Sequence, residues 1–350
     1  MTHLLEPANL RRIALLLVLS IAAGAAAAEA GVPLAWMIGP MLVATLLAAT
    51  GWTVAIPRYT RGSGQIVVAC AVGLHMTSVA LGQVIALFPE MLVIAVGSGL
   101  LACAMAPILT RVARADRVTS FFACVPCGPS EMAQLAEQGG GNGPLVGLSQ
   151  SLRIALVVLI VPNVLMAGAD PTALPPASDD LFAFEPLVGV TLVLAVGVAF
   201  LCQRIGVVSP FFLGPLALAS VIAATGSVEL PFPRALIYVG QLLVGLSLGL
   251  SFTRELLRLA PRFILCSVAI TLTMIVLCSL LAWAIAAIDG FPLSTMILAA
   301  APGSVTEMSL TAEALGLGVA MVTAFHVVRL FIILPLSPLA LRLIPQDRTG

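Results

Sequence analysis

Lysine does not occur in this chain: all 16 Lys and Arg positions are arginine. Charge of either sign is scarce, at 9% of the 350 residues, where a soluble domain carries about 25%. That scarcity excludes a water-soluble fold, because a chain that is 60% hydrophobic has too little polar surface to cover its apolar side chains. It also excludes the basic patch or soluble domain that a DNA-binding protein would need. Histidine is limited to three residues, His3, His75 and His326, far apart in sequence. Clustered ligands for a copper or iron oxygenase centre are therefore missing. Seven cysteines are an odd number, and each lies in or beside an apolar segment, which argues for small buried side chains and against a disulfide framework. Strand-like alternation is absent, as is any ATP-binding motif.

What is present are apolar runs of membrane-spanning length, such as residues 91–110. The backbone of such a run can be satisfied in lipid only as a helix. The expectation is an all-α polytopic integral membrane protein. Residues 10–28 carry paired arginines, an apolar core and small residues, the outline of a signal peptide. They are read instead as a retained first helix because they have an internal counterpart.

That counterpart belongs to a duplication. "PLAWMIGPMLVATLLAATG" (33–51) matches "VSPFFLGPLALASVIAATG" (208–226), and "GQIVVACAVGLHM" (64–76) matches "GQLLVGLSLGLSF" (240–252). "PCGPSEMAQLAE" (126–137) matches "PGSVTEMSLTAE" (302–313), and Arg153 falls on Arg329. The offset stays at 175 or 176. The halves span 8–168 and 186–343, joined by an acidic, Pro-rich linker over 169–185. Six elements are expected in each: 11–28, 33–51, 63–87, 90–111, the Pro/Gly-interrupted motif stretch, and 143–167. The second set is 187–204, 207–226, 236–258, 262–287, 293–316 and 318–341.

Arginine placement chooses between parallel and inverted halves, since cytoplasmic loops collect basic residues. With Arg153 and Arg329 set aside as in-helix residues, an inverted second half places every arginine but Arg234 on one side. A parallel one moves Arg204, Arg254, Arg258 and Arg262 to the opposite side. Inversion is favoured, with both termini cytoplasmic, the linker periplasmic or extracellular, and the protein in the bacterial inner (plasma) membrane. It requires about five crossings and one broken or re-entrant helix per repeat. The interrupted motif stretches are the natural candidates, and such segments at matching places in inverted halves point to a transporter's binding site.

In those stretches Pro126 and Gly128, and Pro302 and Gly303, stop the incoming helix. Ser130 and Thr306 can N-cap the next one. Glu131 and Glu307 then stand in its first turn, where the helix dipole favours a carboxylate. Glu137 and Glu313 follow six residues later, on a different face. Arg153 and Arg329 each lie 22 residues beyond the first-turn glutamate, inside apolar runs. An intramembrane charge normally pairs, so Glu131–Arg153 and Glu307–Arg329 are expected pairs, with pairing across the repeats equally open. His326, matched by Gln150, is either a proton acceptor or a packed hydrogen-bonding residue. Cys124 and Cys127 have CxxC spacing, but the second copy lacks both, so no metal or cofactor is expected.

The duplicated P-x-[GS]-x-[ST]-E-M block, with its later AE and in-helix arginine, resembles the bacterial membrane AbrB family, whose domain is described as an AbrB duplication and which also carries an ammonia monooxygenase label. The resemblance spans about residues 10–340. Cys127 and Ser304 each stand where the family pattern has a glycine. It implies a distant fold relationship to cation/proton antiporters and anion transporters, and the family name implies a role in regulating gene expression. The expectation drawn is a secondary transporter or exporter of a small solute, not an enzyme, with an indirectly acting membrane regulator as the alternative. Its partners are the bilayer and a small solute or ion, with no direct nucleic-acid contact; a homo-oligomer is left open.

Overall fold

The computed structural model describes residues 6–168, 185–226 and 232–343; the linker expected over 169–185 therefore lies almost entirely outside the described residues. Every regular element there is a helix. The first half gives α1 (Pro7–Glu29), α2 (Ala35–Thr50), α3 (Thr60–Gly73), α4 (Ser78–Ala86), α5 (Phe88–Ala113), α6 (Arg117–Cys124), α7 (Pro129–Gln138) and α8 (Gly143–Ala167). The second gives α9 (Pro186–Arg204), α10 (Pro210–Ala224), α11 (Arg234–Gly249), α12 (Arg254–Leu259), α13 (Pro261–Asp289), α14 (Leu293–Ala300), α15 (Val305–Ala314) and α16 (Val319–Leu343). Among the described residues, seven helical stretches are long and apolar enough to cross a membrane, or eight if the bent pair α3–α4 is one span. Large apolar side chains stand outward on them, including Val193 and Leu265, as lipid in place of water allows. The chain is a polytopic helical membrane protein.

The same series of eight helices thus occurs twice. Backbone conformation repeats with it. Among the described residues, positive φ occurs at Gly31, Leu34, Gly51, Arg114 and Gly140, and again at Gly206, Ser209, Gly226, Gly290 and Gly316. Each residue of the second set lies 175 or 176 places after its counterpart in the first. A left-handed leucine and a left-handed serine at equivalent places are hard to obtain by chance, because such φ values are uncommon outside glycine.

Two expected helices are split. The 63–87 element is α3 and α4, bent by 92°. The 236–258 element is α11 and α12. After each break a threonine hydroxyl accepts from a new first-turn amide: Thr77 from Ala80 N at 3.3 Å, Thr253 from Leu256 N at 3.4 Å. These N-cap contacts start a fresh helix where an apolar run alone reads as continuous.

The helices gather into two compact units, each taking elements from both halves. One comprises residues up to Ile85, Val158–Leu257 and Ser309–Met321; the other comprises Ala86–Val157, Arg258–Met308 and the chain from Val322 onward. Within the first unit α2 packs on α11 and α10 on α3, α1 on α2 and α9 on α10, and α3 against α11. Within the second, α5 packs on α13, α5 on α6 and α13 on α14, and α13 on α6 and α5 on α14. Exchanging the halves maps each pairing onto another. Small residues permit the approaches: a Cβ at Gly245 would lie 2.3 Å from the Met37 carbonyl oxygen, and one at Gly64 2.7 Å from that of Gly240.

Candidate functional site

Both interrupted motif stretches belong to the second unit up to Met308. Asp116 N-caps α6, its carboxylate accepting from Thr119 N at 2.7 Å. The helix runs until Val125 turns extended (φ −64°, ψ 121°), and α7 restarts at Pro129 after Gly128. In the second copy α14 ends where Ala301 turns extended (φ −51°, ψ 140°), and α15 restarts at Val305. The expectation that Ser130 and Thr306 cap the restarted helices needs correction. Gly128 is the N-cap of α7, and Ser130 and Thr306 both lie one residue inside their helices. Proline at the first position is favoured there because the missing N–H has no role, and it puts the cap at Gly128, two residues upstream of Ser130.

The breaks are buried. Cys124, Val125, Cys127, Ala300 and Ala301 are nearly inaccessible, so the orphan carbonyls of the ending helices cannot turn to water. Residues 126 and 302, where the next amide donors for the Phe122 and Leu298 carbonyls would stand, are prolines without an N–H. Side chains from the following long helices supply donors instead. Gln150 of α8 donates through Nε2 to Phe122 O at 2.6 Å and Val125 O at 2.8 Å. His326 of α16 contacts Leu298 O through Nε2 at 3.1 Å.

Three residues further along each helix stands the arginine, each 3% exposed. Arg153 donates to the carbonyls of Val125 at 3.2 Å and Cys127 at 3.3 Å, and to Gln150 Oε1. Arg329 donates to Ala301 O at 2.7 Å, to Gly303 O, and to His326 Nδ1 at 2.7 Å. A guanidinium can only donate, so His326 Nδ1 accepts and Nε2 carries the proton given to Leu298 O. Each arginine thus places its charge at the negative end of a half-helix. Carbonyls, with Gln150 and His326, engage the guanidinium groups, partners that the expected Glu131–Arg153 and Glu307–Arg329 pairs did not include. Of the two roles open to His326, the structure shows a hydrogen-bonded residue with both ring nitrogens engaged. The helices that end at the breaks, α6 and α14, each pack on both α5 and α13. The two breaks therefore converge.

The glutamates differ between copies. Glu131 is half-buried and curls back over the break: a Cβ at Gly128 would meet its Oε2 at 2.1 Å, and Ser130 Oγ donates to the same oxygen at 3.1 Å. Glu307 and Thr306 are fully buried. Glu137, exposed at the end of α7, folds against the start of α8, where a Cβ on Gly143 would meet its Oε1 at 2.3 Å. Glu313 lies on the part of α15 assigned to the first unit and lines a cavity there with Arg234. Cys124 and Cys127 are free thiols, and no group of three or more His, Cys, Asp or Glu suited to a metal occurs among the described residues. Gln150 did not stand out in the sequence. Its signal was there: it aligns with His326, and each precedes its arginine by three, one helical turn.

This geometry can be set beside that of known proteins. The chain matches the family described as "Transition state regulatory protein AbrB" over residues 5–345. It is similar to "Uncharacterized protein YhjN" of Bacillus subtilis (strain 168), 25% identical over 360 residues covering 96% of this chain and 94% of that one. It is also similar to "Putative regulator AbrB" of Escherichia coli (strain K12), 23% identical over 320 residues covering 89% and 90% respectively. With nearly its whole length matched, the chain belongs to the AbrB family.

Proposed function

We propose that this protein is a secondary transporter or exporter of a small solute in the bacterial plasma membrane, and not an enzyme. The observation that carries the reading is the pair of interrupted helices converging in one unit, each with its buried end carbonyls held by an arginine of the next long helix. Irregular backbone is costly at membrane depth and is kept where it serves a solute path. Held breaks also leave the N-termini of α7 and α15, with Glu131 and Glu307 in their first turns, in fixed positions. The exchanged helix pairings support a twofold relation between the halves, and arginine placement supports its being inverted, with termini cytoplasmic and linker outside.

Flux into proteoliposomes tests it. A panel of small solutes, with and without a pH gradient, is expected to yield at least one that accumulates. Glu131→Gln and Glu307→Gln should each reduce that flux at least tenfold, as loss of a charged contact at a binding centre does. Solute- and pH-independent behaviour in the wild type and both variants overturns the reading. A second reading, that the protein influences gene expression indirectly through a partner, draws on the name of the Escherichia coli relative.

A further inference from the structure

The first unit contains a cavity of about 380 Å³ between the α1–α2 turn, α11 and the later part of α15. At about 30 Å³ per water-sized group it admits a solute of roughly a dozen heavy atoms. One wall is aromatic: Trp36 stacks on Tyr238 with ring centroids 5.5 Å apart and planes 18° from parallel. Gly24 of α1 leaves room behind the indole, since a Cβ there would touch Trp36 at 3.0 Å. Gln241 completes the floor, 5% exposed. Opposite signs face the space, Arg234 from α11 and Glu313 from α15, close enough for the guanidinium to act on the carboxylate. Yet Glu313 Oε2 is buried without a hydrogen-bond partner.

We infer that this cavity binds a small zwitterion with an apolar body, of the neutral α-amino acid class: its ammonium on Glu313, its carboxylate towards Arg234, its side chain on the Trp36–Tyr238 wall. A simple cation would meet Arg234 and a simple anion would meet Glu313, while an uncharged apolar molecule would leave Glu313 Oε2 without a donor. The duplication sharpens the point. At the counterpart place Phe211 stands for Trp36 and Gly62 for Tyr238, and the Phe211 ring packs onto Gly62, 3.0 Å from where its Cβ would be. Arg58, the counterpart of Arg234, lies 4.5 Å from the Tyr59 ring centroid. The counterpart place thus has neither the indole nor the phenol that wall this cavity. Arg234 is also the one arginine that an inverted topology places outside, so on that reading the cavity faces the linker side. Binding itself does not depend on the transporter reading.

The test uses purified full-length protein in detergent, with calorimetry and fluorescence of Trp36 in a Trp52→Phe, Trp283→Phe background. L-leucine and a panel of other neutral L-amino acids are the probes, against 3-methylbutylamine and 4-methylpentanoate, which each lack one charge. At least one amino acid should bind with micromolar to low-millimolar Kd and raise the wild-type melting temperature. The single-charge analogues should bind at least tenfold more weakly, as should Arg234→Gln and Glu313→Gln, with Glu313→Asp in between and Arg58→Gln unchanged. If no amino acid binds or shifts the wild-type melt, or if either single-charge analogue matches the amino acids, the proposal is overturned; the wild-type measurements decide it even where a variant does not fold. Binding without flux would retain this site and remove the transporter, and flux without binding would do the reverse.

Discussion

His326 and Gln150 are different residues given the same task. Each donates to a carbonyl in the last turn of a half-helix and accepts from the arginine one turn on. A hydrogen-bonding role of this kind tolerates exchange between the two, whereas a proton-relay role does not. His326→Gln is therefore expected to change stability by less than about 1 kcal/mol. His326→Leu strands Leu298 O and one donor of Arg329, and should cost about 2 kcal/mol or more, the typical penalty for a buried polar group left without its partner. Thermal or denaturant unfolding in one detergent, read against wild type, separates the outcomes; equal losses from Gln and Leu would refute the donor–acceptor account. Arg153→Lys and Arg329→Lys belong to the same argument. An ammonium cannot span the carbonyls and the neighbouring side chain as the planar fork does. Each replacement should cost about 2–3 kcal/mol through lost charge-assisted bonds, by similar amounts in the two copies because the contacts are similar.

At the scale of the element, stability rests on how closely the helices approach. A methyl at Gly245 would overlap the Met37 carbonyl on α2, and neither backbone can yield without shifting a helix. Gly245→Ala should destabilise by about 2 kcal/mol, as overpacking does. Gly197→Ala on α9 meets nothing within 4 Å and should be neutral or stabilise by up to about 1 kcal/mol through helix propensity. Of the two melting temperatures, compared side by side, only that of Gly245→Ala must fall, or the close-packing account of α2 and α11 fails. The same scale shows what could be read in advance. Pro126 and Pro302 announced the breaks, and the arginines announced buried polar chemistry. The carbonyl partners of those arginines were hidden because an orphan carbonyl has no letter in the sequence. The α3–α4 bend was hidden too, since Leu74 to Thr77 holds neither proline nor glycine. The unequal burial of Glu131 and Glu307 follows from surroundings that an identical Glu-Met motif cannot encode.

For the whole molecule, duplication and sidedness are separate claims with separate support. The helix series, the paired left-handed residues and the exchanged packing speak for duplication, and all of them would hold whether the second half were inverted or not. Sidedness turns on charge. In the inverted arrangement the α5–α6 turn at Arg114 and the α12–α13 junction at Arg258 share a side, although the two loops are not equivalent positions in the repeat. In a parallel one, equivalent loops share a side, so the turns at Arg114 and at its counterpart Gly290 must match. Single cysteines at 114, 258 and 290, introduced with the seven native cysteines replaced, give the decision. Labelling of intact cells with a membrane-impermeant maleimide is expected to modify position 290 and to leave 114 and 258 unmodified until the membrane is opened. Joint protection of 114 and 290 would establish parallel halves and place Arg234 with the bulk of the arginines. The unit-one cavity would then lose its outward face while keeping its chemistry.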